Sequence, residues 1–393
     1  MMCSVGDDIF EGDKFMPTKQ VTTSKTCNKC KTAEPQLVLR GKDAYCKSCF
    51  LEGVTHKFKS TLGKSKLIRP RDRVLIVYED NGNSTALLHM VRNGLNLSTP
   101  KKLNFIPVVV FVEDQYHLPL KERHNVIEQA KEVITALNFD LILVSLAQYA
   151  TNSGSIDKLI YSEGLTISES DKDELFKNVQ TDTSDTNKTE LISIIKRNLL
   201  IEVAKHLDCK YVFTSEISMD ITTNLLKNVS LGRGSQIPLE SGFCDDRDTQ
   251  VKILRPLYLF DSKEIEYYNK YNNITYVHAR TDEVNTYSSI HTLMKKFVMD
   301  LQNNFPSTVT TVLKTGDKIE RVKGKAICQL CKAPLCDNVP QLTSEESTKF
   351  SSLISNTKVD FTNLDFVDKP LDQTDERVFC LSCNELSKCL INS

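Results

Sequence analysis

The chain has no excess of charge. Its 50 lysines and arginines stand against 51 aspartates and glutamates in 393 residues, a formal net charge of −1. Global electrostatics therefore imply no nucleic-acid partner, and any polyanion-binding surface has to be local. Nor is there an unbroken apolar run of about 18 residues, so no transmembrane helix and no membrane role are expected. Met1–Lys19 carries Asp7, Asp8, Glu11 and Asp13 and lacks an apolar core, which excludes a secretory signal or an arginine-rich transit peptide from the reading. The expected compartment is the cytoplasm, where thiols stay reduced, so thirteen cysteines point to metal sites rather than disulfides. Histidine adds nothing to them: His56, His89, His124, His206 and His291 show no metal-ligand spacing and read as surface or core residues.

The cysteines are clustered. Cys27-Asn-Lys-Cys30 is followed after fifteen residues by Cys46-Lys-Ser-Cys49, the spacing of a zinc ribbon in which two knuckles supply four thiolates to a tetrahedral ion. Four protein ligands leave no open position, so the expected zinc is structural. Cys328-Gln-Leu-Cys331 and Cys380-Leu-Ser-Cys383 form a second pair of CxxC units, separated by 48 residues, and predict a second structural zinc. Cys336 and Cys389 are spare, and Cys3, Cys209 and Cys244 lie elsewhere.

Between positions 57 and 73, Lys57, Lys59, Lys64, Lys66, Arg69, Arg71 and Arg73 face one acid, Asp72, with Phe58 interleaved. Next to a zinc ribbon this run suits contact with a nucleic-acid backbone; the alternative is a solvated linker.

From Val74 the pattern is α/β. Val74–Tyr78 reads as a buried parallel strand, Glu79–Asn83 as a tight turn, and Ser84 as the N-cap of a helix starting at Thr85. Pro107–Val112 closes a β-α-β unit. Leu120–Leu137, Leu191–Leu207, Ser218–Val229, Ser262–Tyr271 and Ser288–Asn303 predict helices, and Leu141–Val144 and Tyr211–Thr214 strands. Residues 166–190, rich in Ser, Thr and Asp, read as a flexible surface loop. Arg233 sits between two glycines just past a helix end, as either a bidentate fork for phosphate or an exposed residue beside a capped helix. Cys244-Asp-Asp-Arg-Asp248 reads as an acidic surface loop.

In open α/β sheets ligands sit where the first strand's carboxyl end meets the first helix, and helix N-termini favour phosphates. The stretch Glu79-Asp80-Asn81-Gly82-Asn83-Ser84 at that place resembles the pyrophosphate loop of N-type ATP pyrophosphatases, S-G-G-x-D-S, of which only Ser84 survives. The glycine pair is replaced, and Glu79 and Asp80 add charge of the wrong sign. An ordinary α/β turn is the other reading of this stretch. The expected fold is α/β, a doubly wound parallel-sheet core of pyrophosphate-loop ATPase type flanked by N- and C-terminal zinc ribbons. The expected organisation is a disordered 1–24, a ribbon at 25–60, the degenerate core at 61–320, and a C-terminal zinc module with an acidic insert at 325–393.

The combination of the first ribbon, His56-Lys-Phe-Lys59, Ser230-Leu-Gly-Arg-Gly234, Ile253-Leu-Arg-Pro-Leu257 and the second ribbon is similar to the cytoplasmic tRNA 2-thiolation protein 2 family. The resemblance implies a non-catalytic, tRNA-binding partner of a homologous catalytic ATP-using thiolation subunit in a heterodimer. It further implies 2-thiolation of the wobble uridine in the Lys, Glu and Gln tRNAs, with sulfur from a thiocarboxylated ubiquitin-related modifier. The ATP-using relatives hold their sulfur chemistry on a CxxC pair and a third cysteine, often through an iron–sulfur cluster. No cysteine occurs here from 50 to 208 or from 245 to 327, and Thr214–Asp220 replaces the acidic H-N-A-D-D motif. No catalytic residue, bound ATP or iron–sulfur cluster is therefore expected in this chain. Two readings stand beside this one: a self-sufficient ATP-dependent tRNA sulfurtransferase, and a zinc-ribbon adaptor without an RNA role.

Overall fold

The computed structural model describes residues 25–40, 42–98, 102–151, 156–177, 179–276, 287–321, 324, 326–335, 352 and 379–390. The expectations for the N-terminal 24 residues, Cys3, Cys336 and most of the acidic insert lie outside them. The chain forms two compact units, Met1–His56 and Lys57–Ser393.

In the first unit a short antiparallel ribbon, β1 (Leu37–Leu39) and β2 (Asp43–Tyr45), pairs Leu37 with Tyr45. It leads into helix α1 (Lys47–Ser65), within which the division between the units falls. Phe50, Val54, Phe58 and Leu62 recur at four-residue spacing on α1 and are buried, the single apolar stripe of an amphipathic helix.

The second unit is built on a six-stranded sheet. Its strands are β3 (Arg73–Tyr78), β4 (Ile106–Glu113), β5 (Leu141–Ser145), β6 (Tyr211–Phe213), β7 (Cys244–Asp245) and β8 (Lys252–Leu254). The order is β5-β4-β3-β6-β8-β7, parallel throughout except for the edge strand β7. Val74–Tyr78 are each at most 1% exposed, because β3 lies at the centre of the sheet, paired with β4 on one side and β6 on the other. A strand covered on both faces needs a continuous apolar run rather than alternation.

Helices α2 (Gly82–Leu95) and α3 (Leu120–Ala136) follow β3 and β4, and α4 (Leu146–Thr151) follows β5 directly. The region expected as a loop at 166–190 instead holds α5 (Asp171–Leu175) and the first turns of α6 (Asp185–His206), capped by the Ser184 side chain. Its polarity misled because two of its acids face inward: Asp171 takes the buried Arg123, shared with Glu113 at 2.7 Å, and Glu190 lies in the cleft described below. Further helices are α7 (Ser218–Ser230), the single turn α8 (Ile237–Glu240), α9 (Ser262–Tyr271), α10 (Ile290–Asn304), α11 (Pro306–Gly316) and α12 (Leu381–Lys388). Among the described residues no helix is long and apolar enough to cross a membrane.

The chain runs from β3 outward to β5 and returns to place β6 on the other side of β3. Such a reversal opens a crevice at the carboxyl ends of β3 and β6, where α/β sheets bind ligands.

Candidate functional site

Beside that crevice α2 begins, but three residues earlier than Ser84 as cap requires. The N-cap is Asn81. Its Oδ1 accepts from the Ser84 N–H at 2.8 Å, the Ser84 Oγ accepts from the Asn81 N–H at 3.3 Å, and the same hydroxyl donates to the Asn81 carbonyl at 3.0 Å. This is a closed capping box, and Ser84 within it is fully buried. Asp80 reaches it with φ of +50°, its buried carboxylate accepting from the Tyr78 hydroxyl. The Asn269 amide donates to the Gly82 carbonyl, and a β-carbon at Gly82 would come within 3.0 Å of the Tyr276 ring. Two of the backbone N–H groups at this helix end, those of Asn81 and Ser84, are thus engaged by the chain's own side chains.

The crevice itself is a cavity of about 270 Å³ at the carboxyl ends of β3, β6 and β8. Its lining holds Lys196, Arg197, Lys227, Arg233, Arg247 and Arg255 against Glu79, Glu190, Glu216, Glu240 and Asp245. Every one of these cations already has a carboxylate. Lys196 bridges Glu79 at 3.0 Å and Asp114 at 2.8 Å; Arg255 holds Glu216 at 2.8 Å; Arg247 holds Asp245 at 2.6 Å and Glu240 at 3.2 Å, with Arg197 also on Asp245. Glu190 takes Lys227 at 2.6 Å and Arg233, all three nearly out of solvent. Burial would push the Glu240 carboxyl up, but Arg247, Arg233 and Lys227 together outweigh it and hold it at about 2. In the first turn of α7, burial raises Asp220 to about 6, reinforced by the carboxylates of Glu216 and Glu79 against a hydrogen bond from the Ile217 N–H. A pocket neutralised from within offers no free cation to a phosphate.

Two expectations are corrected here. Arg233 is not an exposed phosphate fork: its side chain is 3% exposed and is spent on Glu190 and Gln236. Gly232 does adopt φ of +68°, and the arginine after it is buried. The acidic surface loop at 244–248 is likewise not one, since Asp245 and Arg247 are buried on each other.

The basic run divides. Lys57 is tied to Glu264 at 2.6 Å and lies 4.5 Å from the Phe260 ring centre, while Lys59 and Arg73 are half-buried. Lys64, Lys66, Arg69 and Arg71 are exposed. Asp72, the one acid among them, turns inward to take Lys210 at 2.8 Å and the Arg69 N–H at 2.7 Å, so it quenches none of the four side chains by direct pairing.

The cysteines converge in two sets. Cys27, Cys30, Cys46 and Cys49 hold their sulfurs within 4.8 Å of one another, and so do Cys328, Cys331, Cys380 and Cys383. Both sets have the same parts. In each, the first CxxC is a knuckle closed by the N–H of the lysine after it, Lys31 to the Cys27 carbonyl and Lys332 to the Cys328 carbonyl, with φ of +61° and +59°. In each, the second CxxC opens a helix, α1 or α12, whose N-terminal dipole favours thiolate. A tetrahedral zinc with bonds of about 2.3 Å spaces its sulfurs about 3.8 Å apart. Cys331 and Cys380 stand 3.9 Å apart, so the residues fit a single ion. Cys209 is buried and Cys244 half-buried, and neither belongs to a metal set among the described residues.

Sequence reasoning missed Glu190, Lys227, Glu240 and Arg247. Isolated charges on amphipathic segments carry no local mark of burial; only their partners in the folded chain reveal them.

Comparison with known proteins gives a consistent picture. Residues 289–385 match the family described as cytoplasmic tRNA 2-thiolation protein 2. The cytoplasmic tRNA 2-thiolation protein 2 of Xenopus tropicalis is 30% identical over 88% of this chain and 80% of its own. That of Aedes aegypti is 34% identical over 86% and 75%. Among solved structures, the U34-tRNA thiolase NcsA from Methanococcus maripaludis, described with its 4Fe-4S cluster, superimposes with a TM-score of 0.57 at 14% identity, over 79% of this chain and 93% of that one. At that identity the likeness is one of fold.

Proposed function

Because this chain belongs to the cytoplasmic tRNA 2-thiolation protein 2 family, we propose that it serves 2-thiolation of the wobble uridine of cytoplasmic tRNA as a tRNA-binding subunit that performs no chemistry itself. The observation that carries this reading is the Asn81–Ser84 capping box. It engages, with the chain's own side chains, the Asn81 and Ser84 N–H groups at the helix end on which a pyrophosphate would lie. The neighbouring cleft supports it, since its cations are all satisfied internally. ATP, an iron–sulfur cluster and the reacting sulfur then belong to a homologous catalytic subunit, with which this chain forms a heterodimer. The sulfur comes from a thiocarboxylated ubiquitin-related modifier, and the tRNAs are those for Lys, Glu and Gln. Lys64, Lys66, Arg69 and Arg71 are the residues we assign to tRNA phosphates; Arg233 is withdrawn from that set. Each cysteine set holds one structural zinc, supplying rigidity rather than chemistry.

The test is thiolation by the lone chain, the lone catalytic homologue and the reconstituted pair. The lone chain should neither cleave ATP to pyrophosphate nor thiolate tRNA, and the pair should require it. Ser84→Ala should leave the pair's activity within a few-fold, whereas loss of a true transition-state ligand costs about 100-fold or more. Turnover by the lone chain would establish the self-sufficient enzyme instead; tRNA affinity that is absent or flat with salt would favour the adaptor.

A further inference from the structure

Gln236, in the short turn before α8, is 1% exposed and lies between the charged cleft and the second cysteine set. Its Oε1 accepts from Arg233 Nη2 at 2.8 Å. A guanidinium has donors and no acceptor, so the amide can stand only one way round. Its Nε2 therefore faces sulfur: Cys380 Sγ at 3.4 Å and Cys331 Sγ at 3.5 Å. We infer that Gln236 is a positioning residue of the second metal site, donating both amide hydrogens to two thiolates that hold the ion. The inference rests on the zinc reading of that set.

The chemistry favours such a residue. Four thiolates around a divalent ion leave a net charge of about −2 in a buried place, and uncompensated buried charge is costly. Neutral N–H donors spread that charge without competing for the metal. Arg233 fixes the donor, and Glu190 and Lys227 fix Arg233. From the other side Arg247 Nη1 donates to the Cys331 carbonyl at 3.4 Å. The buried ion pairs of the cleft thus brace the metal site, which gives a fold without a phosphate ligand a use for them.

The full chain loaded with zinc is titrated with a competing chelator, the first cysteine set serving as internal reference. Gln236→Leu should weaken one of two zincs by about 10–100-fold, the usual cost of losing an outer-shell partner, and leave the other unchanged. In the cobalt-loaded protein the same change should move the sulfur-to-metal charge-transfer band to lower energy, because thiolates freed of N–H bonds donate more strongly. A measurement on the unaltered chain guards against misfolding of the variant: with a spin-half cadmium isotope in the site, the Gln236 side-chain amide protons should couple to the metal through sulfur. Two zincs in both proteins with equal affinities, or no such coupling, overturn the role of Gln236 while leaving the zinc reading intact. A wild-type chain holding only one zinc, on the first set, overturns both.

Discussion

Glu190 shows how much a single side chain can hold in this protein. It is 2% exposed, and its carboxylate faces Lys227 and Arg233, both buried. Removing one partner of a buried ion pair strands the other charge, which costs about 3–5 kcal/mol. Glu190→Gln removes the carboxylate that Lys227 and Arg233 share and leaves them only the more distant Glu240, so it should lower stability by about that much in a urea titration. Asp220 argues the opposite way. Burial, then Glu216 and Glu79, raise its folded value to about 6 from an ordinary 3.8. A carboxyl raised on folding binds its proton more tightly in the native state, so its ionisation costs stability above about pH 6. That cost fades as pH falls and is gone below about pH 4. Asp220→Asn keeps an acceptor for the Ile217 N–H and should stabilise the protein by about 1–3 kcal/mol at neutral pH and by nothing near pH 4. Equal gains at both values would show that Asp220 is not raised.

At the scale of elements, α2 and the segment from α1 to β3 carry the functional argument. The sequence correctly marks strand β3 and the helix after it, but places the cap at Ser84 where the structure uses Asn81. Both residues are good caps; in the turn leaving β3 Asp80 takes a positive φ and Asn81 the extended backbone of an N-cap, so the helix begins at Gly82. The basic run is visible in the sequence as seven cations, yet only four of them are exposed: Lys57 packs against Glu264 and Phe260, and Lys59 and Arg73 are half-buried. Charge reversal at Lys64, Lys66, Arg69 and Arg71 should weaken tRNA binding and flatten its salt dependence by about 0.7–0.9 in slope per lost phosphate contact. Reversal at Arg233 should act on stability instead. Unchanged affinity and slope in the fourfold variant would make the run a solvated linker.

For the whole molecule, elemental analysis of chain purified without chelator should approach two zincs, and Cys27→Ser should remove one and loosen its ribbon, since a structural zinc contributes folding energy directly. A value below one would remove both assignments. The sequence by itself determined the two cysteine sets, the parallel strands and the loss of the glycine pair. These are local signals: CxxC spacing reports a knuckle, a run such as Val74–Val77 reports burial on both faces, and a missing glycine reports side chains where backbone should be bare. Only the tertiary structure decided that Arg233 and Arg247 point inward and that Gln236 joins the cleft to the second cysteine set. Two of those outcomes depend on partners far apart in the chain, Glu190 with Arg233 and Gln236 with Cys380, whose attraction is set by distance and burial in the folded chain and leaves no periodic trace along it.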